Sequence, residues 1–520
     1  MPKFILIISF LLMGFLSQAK EYLLFFNDKP ISKETSSKAD FYDLPVSTYY
    51  LNEIRKVGDV INVSKWLNGI HFKTELSVSE LKQNFSFITQ IIPLFPENIN
   101  KDFLLQIDEN QSSADPALYG NSFSQLEITK TASCLHDKGF DGDGVIIAVL
   151  DAGFPKLDTM LAFRKMRQEG RIIDTWDFED NASNVYNKST HGTYVSTIVG
   201  AELDSTFIGS APKASYAFYI TEIARFEKNI EEFNLVLGLE RADSIGADIC
   251  TISLGYRNFD TLQVSYGYSG MDGRTTIVAQ GVSIAKNKGI IISVAAGNSG
   301  SGAGTLSSPC DADSILCVGA IKRDSTRAGF SSEGPTFDGR IKPDVVTIGE
   351  ACAFVRLDDS VRWGNGTSFS TPLFSGLVAC IKQAHPLRSN FQIIDAIKNN
   401  SDRALSPDNI YGWGIPNGCK IDSALSYLDS VIAGNDELSL PEIKLSVFPN
   451  PTTDIVNIST KELLTSIELI QLDGKLLLSE IIDRAALSYQ INLSGIPSGV
   501  YLLKVTAMDG RIISKRIIKK

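Results

Sequence analysis

Residues 364–376 read GNGTSFSTPLFSG and hold three hydroxyls, Ser368, Ser370 and Ser375, any of which could serve as a nucleophile. A serine hydroxyl is weak at neutral pH and needs a base within hydrogen-bond reach. The chain has four histidines, His71, His136, His191 and His385. Ser368 opens the apolar helical pattern TSFSTPLFSGLVACIKQ, in which Pro372 suits a first turn. Ser368 therefore sits at a positive helix end, where backbone N–H groups are free to face an anion. Ser370 falls on the other side of that turn, and Ser375 reads as a small packing residue. His191 opens HGTYVSTIVGA, and Gly192 allows a close backbone approach. The other three histidines read as structural. Asp151 ends the apolar run GVIIAVLD just before Ala152-Gly153, where the chain can turn, and Asn298 ends GIIISVAAGN. An asparagine amide can donate to a developing oxyanion. Together an acid, a base, a hydroxyl and an amide donor describe acyl transfer.

The elements that must position these residues follow from periodicity. From about 120 to 432, apolar runs bounded by glycine or acidic residues (GVIIAVLD, GADICTISLG, GIIISVAAGN, SILCVGAI) alternate with helical segments such as EEFNLVLGLERADSIG and TTIVAQGVSIAKNKG. Continuous apolar strands alternating with helices predict an α/β fold, a parallel sheet covered by helices on both faces. Ligands of such sheets lie beyond the carboxyl ends of the strands. Residues 20–115 read as a small α+β unit, followed by the polar connector IDENQSSADPALYGNS. After a linker at 433–443, residues 444–520 alternate with period two and carry hairpin signals at Asp473-Gly474 and Asp509-Gly510, which predicts a small β-sandwich.

The order Asp151, His191, Ser368 is the order of the subtilisin triad, and here the chain resembles the subtilisin-like serine peptidases, or subtilases. IAVLDAGF resembles the family's Asp motif, HGTYVS its His motif, AAGNSG its Asn motif and GTSFSTP its Ser motif, within about 125–425. The resemblance implies that Ser368 attacks a peptide carbonyl, His191 carries the proton and Asp151 orients the imidazole. Asn298 and the Ser368 N–H would stabilise the oxyanion. It further implies a substrate-pairing edge at Ser253, Leu254 and Gly255, and a pocket wall at Ala295, Ala296 and Gly297. Three departures from the family pattern stand out: Ala152 in place of a hydroxyl residue, Tyr194 in place of a second histidine, and Phe369-Ser370 in place of Met-Ala.

The flanks are consistent with export. Residues 1–19 have one cation, an apolar run and a small-residue end, the layout of a signal peptide. No other stretch is apolar enough to span a membrane. Residues 20–115 resemble a subtilase propeptide, an inhibitor and folding helper. Residues 444–520 resemble the C-terminal sorting domain of type IX secretion in Gram-negative bacteria. The expected partners are polypeptide substrates and that machinery, by way of the periplasm. A net charge of −11 gives no footprint for nucleic acid. No metal is assigned and no cofactor is required for the chemistry; calcium is common in the family, but no diagnostic carboxylate loop is read here. Seven cysteines leave at least one unpaired, with Cys310 and Cys317 the nearest pair in sequence, and Cys250 and Cys380 inside apolar runs. An esterase fails on triad order and on the missing second glycine of a nucleophile elbow. A catalytically silent relative serving as a surface binding module is the alternative.

Overall fold

The computed structural model describes residues 20–30, 38–95, 106–108, 119–260, 264–302, 304–433, 445–471, 476–507 and 512–520. The signal-peptide reading, most of the polar connector and nearly all of the linker fall outside them. The chain divides into two compact units, one ending at Leu428 and the other beginning at Asp429.

The first unit is built on seven strands: β1 (Ile146–Asp151), β2 (Ile172–Asp177), β3 (Ser215–Ile220), β4 (Ile249–Ile252), β5 (Ile291–Ala295), β6 (Leu316–Ile321) and β7 (Val345–Ile348). They lie in the order β7-β6-β5-β4-β1-β3-β2, and every neighbouring pair is parallel. Their near-continuous burial explains why no period-two alternation shows in the sequence. Side chains of β1 alternate between two cores. Ile147 and Val149 join a cluster with Val195, Ile198, Phe369 and Leu373, whereas Ala148 and Leu150 join one with Val236, Leu239, Val278 and Val282. Helices α1 (His191–Gly200) and α4 (Thr367–Ala384) thus cover one face, and α2 (Asn229–Ser244) and α3 (Ile277–Asn287) the other. Each wholly buried Leu or Ile contributes roughly 1.5–3 kcal/mol. From β1 the chain runs outward to β2, and from β4 it runs the opposite way to β5, so the switch point lies between the neighbours β1 and β4. A ligand crevice opens at such a point.

Two disulfides, Cys134–Cys419 and Cys310–Cys317, brace this unit, and Cys250, Cys352 and Cys380 are free and buried. Burial pushes these thiols up, Cys352 to about 12, which leaves them protonated and unreactive.

The N-terminal segment forms its own four-stranded antiparallel sheet, in the order Asp59–Ser64, Gly69–Thr74, Lys20–Phe26, Ile88–Leu94. The short helix Val78–Asn84 starts on a full capping box between Ser77 and Glu80. This sheet docks on α2, where Glu240 accepts hydrogen bonds from Ser64 Oγ (2.5 Å), Lys65 N (3.2 Å) and Trp66 N (3.1 Å).

The second unit pairs five antiparallel strands in one hydrogen-bonded ladder. Its two long strands, Ile455–Gln471 and Leu476–Asn492, shift register after Ser459 and again after Leu464 and Leu469. Its core holds Val456, Ile458, Leu469, Tyr501 and Leu503. No helix among the described residues is long and apolar enough to cross a membrane.

Candidate active site

Asp151 is the last residue of β1, His191 the first of α1, and Ser368 the second of α4. Asp151 and His191 are wholly buried, and Asp151 Oδ1 lies 2.7 Å from His191 Nδ1. The same oxygen accepts the Ala152 N–H at 2.8 Å, so backbone fixes the carboxylate where the family's hydroxyl residue is missing. Gly192 makes the approach possible. A Cβ there would lie 2.4 Å from Gly153 O and 3.0 Å from the Asp151 Cβ, so any larger residue would drive α1 away from β1.

Ser368 lines a cleft of about 280 Å³ together with Ser253, Leu254, Gly255, Ala295, Gly297 and Asn298. Its neighbours in the motif are otherwise engaged: Ser370 Oγ donates to Thr367 O (2.9 Å) and Ser375 Oγ to Thr371 O (2.9 Å). Both spend their hydroxyls on the helix. Asn298 Oδ1 accepts from Thr367 N (2.9 Å) and Thr367 Oγ1 (3.0 Å), which turns the amide nitrogen the other way. A Cβ built on Gly366 would stand 2.9 Å from Ser368 Oγ and 3.7 Å from Asn298 Nδ2. The hydroxyl and the amide donor therefore converge on one point, which only glycine leaves open.

Pro372 lies one turn further into the helix than the sequence predicts, because α4 already begins at Thr367. A proline there cannot donate to the carbonyl four residues back, which is that of Ser368. Ser253 Oγ donates to this carbonyl at 2.9 Å instead. Ser253 thus belongs both to the cleft edge and to the support of the helix start. Ala296 also differs from the pocket-wall expectation: it is wholly buried in the core beneath the cleft, and its N–H donates to Val318 O at 3.0 Å. Strand alternation sends Ala295 and Gly297 to one side and Ala296 to the other.

The other histidines are engaged elsewhere. His136 Nε2 lies 3.1 Å from Ser210 O and burial lowers its pKa, His385 Nε2 lies 3.0 Å from Asp422 Oδ1, and His71 Nε2 lies 3.4 Å from Glu21 Oε2. Two family departures compensate each other. Tyr194 and Phe369 both pack on Phe354, with ring centroids 4.8 and 5.3 Å apart, which fills the space between α1 and α4.

Sequence reasoning missed Glu222 and Glu227 in the cleft lining, and Glu231 behind them. Among the described residues these three are the only carboxylate group whose oxygens gather within 4.8 Å. Burial first, and then repulsion from neighbouring carboxylates, pushes Glu222 and Glu231 well above the usual range. The cluster's local signal, acidic residues flanking the start of α2, resembles that of ordinary helix starts.

Residues 142–414 match the family model described as Subtilase family. Residues 31–113 match the Peptidase S8 propeptide domain, Bacteroidota, and residues 446–520 the Secretion system C-terminal sorting domain. The chain is 30% identical over 309 residues to Serine protease AprX of Bacillus subtilis (strain 168), covering 53% of this chain and 65% of that protein. It is 28% identical over 287 residues to Subtilisin Savinase of Lederbergia lenta, covering 55% of this chain and 93% of that one. Against Subtilisin J of Geobacillus stearothermophilus the identity is 29% over 290 residues, covering 55% and 68%.

Proposed function

We propose, from the premise that this chain belongs to the subtilase family, that it is a secreted serine endopeptidase working through Asp151, His191 and Ser368. The observation that carries this reading is the buried Asp151–His191 pair, 2.7 Å apart, at the switch point of the sheet. Ser368 Oγ attacks the peptide carbonyl carbon while His191 Nε2 takes its proton, and the carbonyl becomes a tetrahedral oxyanion. The Asn298 side-chain N–H and the Ser368 backbone N–H donate to that oxygen. The imidazolium then protonates the leaving amine and the C–N bond breaks, leaving an acyl-enzyme. Water, deprotonated by His191, attacks the ester and releases the acid. Throughout, Asp151 holds the Nδ1–H and stabilises the imidazolium without accepting its proton. An extended substrate backbone pairs with the edge at Ser253, Leu254 and Gly255.

The flanking units complete the reading. The propeptide sheet on α2 inhibits the enzyme and assists folding, since a sheet of many non-local parallel pairs forms slowly. Residues 446–520 act as an address for type IX secretion, taking the protein through the periplasm to the cell surface or the medium.

Two sets of variants test this. Ser368→Ala should abolish both peptide hydrolysis and labelling by a serine-reactive phosphonate while the thermal midpoint is kept, and Ser370→Ala and Ser375→Ala should keep substantial activity. Full activity in Ser368→Ala would sink the assignment. Removing residues 446–520 should hold a phosphonate-labelled protease in the periplasm, and unchanged export would refute the address.

A further inference from the structure

Three residues ahead of His191, a lysine stands where three carboxylates converge. Lys188 Nζ lies 2.8 Å from Asp177 Oδ2, 2.6 Å from Glu179 Oε2 and 3.0 Å from Asp180 Oδ2. Asp177 ends β2 and is buried; its other oxygen accepts the N–H groups of Glu179 (2.9 Å) and Asp180 (3.1 Å). The carboxylate is therefore fixed before the ammonium meets it. Burial works to lower the lysine pKa, yet the three carboxylates together hold it above the ordinary lysine value. The backbone at Lys188 has φ 62°, a left-handed conformation that a residue with a side chain seldom adopts without being held there.

The segment around Lys188 lies directly on the turn that follows Asp151. Lys188 forms an antiparallel bridge with Gly153, and Ser189 N donates to Ala152 O at 3.3 Å. A Cβ on Gly153 would meet Ser189 N at 2.6 Å, so the two segments touch through backbone. Ile220 of β3 pairs in register with Asp151 on one side and Asp177 on the other. The ammonium thus ties the end of β2 to the loop that delivers His191 onto β1.

We propose that Lys188 is a positioning residue for the Asp151–His191 pair, acting as an internal cation that occupies the point between Asp177, Glu179 and Asp180 and thereby holds the histidine loop against β1. It touches no reacting atom. Without its ammonium, the three carboxylates lose the cation they share, and buried Asp177 is left with an uncompensated charge.

The proposal rests on the peptidase reading for its kinetic arm only. The test uses the full chain, secreted and processed, as wild type, Lys188→Met, Lys188→Arg and the double variant Glu179→Gln/Asp180→Asn. Lys188→Met should lose kcat by about ten- to a hundredfold with KM little changed, as expected when a reacting group is misplaced while substrate binding is untouched. Lys188→Arg should recover most of kcat. Tm should fall in Lys188→Met and return in Lys188→Arg. Wild-type kcat in Lys188→Met, a loss confined to KM, or failure of arginine to restore it overturns the proposal. If Lys188→Met does not mature, the double variant decides: it keeps Lys188 and Asp177 and should show a smaller loss in kcat at constant KM, and wild-type kcat there overturns the proposal as well. A wild-type chain without peptidase activity would defeat the preceding reading alone, because the fall in Tm of Lys188→Met and its recovery in Lys188→Arg would still report the tie made by the ammonium.

Discussion

The two halves of the site are held by different forces. Asp151 and His191 are wholly buried and bonded side chain to side chain, with Gly192 and Gly153 clearing the space between their elements. Ser368 and Asn298 bear no formal charge. The start of α4, the open position at Gly366 and Thr367's hydrogen bonds to the Asn298 oxygen hold them in place. A hydrogen bond to a buried carboxylate strengthens as the local dielectric falls, and it is correspondingly costly to disturb. The neutral half spreads its support over several weak bonds. One altered atom should therefore cost more in the charged half than in the neutral half.

Asp151→Asn breaks the charged half most directly. The amide keeps the shape but offers the wrong partner to Nδ1, so the imidazole takes the wrong tautomer, and kcat should fall by about 10⁴ with the fold retained. Steady-state kinetics with circular dichroism checks this, and a loss under tenfold would contradict a buried acid acting through His191. Asn298→Ala breaks the neutral half. One oxyanion donor contributes about 10²–10³ in kcat, a scale set on subtilisin itself, so the loss should be smaller and KM should hardly move. Equal losses in the two variants would erase the distinction between the halves.

Glu232 on α2 sharpens the comparison from outside the site, as a buried carboxyl without a cation. Tyr266 Oη donates to it at 2.8 Å, and burial pushes its pKa up to about 7 against that bond. The folded state then holds a proton that the unfolded chain releases near the ordinary glutamate value. The stabilisation is complete below that value and is lost as pH rises through about 7. Glu232→Gln, which mimics the protonated acid, should be nearly neutral at pH 5 and stabilising by about 1–3 kcal/mol at pH 8. Urea midpoints at the two pH values measure it, and a stability difference independent of pH would refute it.

The site residues were legible because each sits at a local boundary. Asp151 closes an apolar run, His191 follows a loop and precedes a glycine, and Ser368 opens an apolar helix; such boundaries are written in neighbouring residues. The α/β class and the α+β N-terminal segment followed from periodicity in the same way. Pro372 shows the limit of that reading. Its place in the helix depends on Ser253, 115 positions from Ser368, satisfying the carbonyl that proline leaves free.

The sequence by itself determined the order of acid, base and nucleophile, the buried strands and the glycines beside them, because short-range spacing dictates which residues share a strand end or a helix start. Only the tertiary structure decided which groups meet. It turned Ala296 inward and Ala295 toward the cleft, joined Cys134 to Cys419 across 285 positions, and packed Tyr194 and Phe369 on one ring. It also gathered Asp177, Glu179 and Asp180 on Lys188. The physical reason is common to all four: charge pairing, covalent closure and close packing act between atoms that the fold brings within a few ångströms, and the pattern along the chain carries no record of that distance.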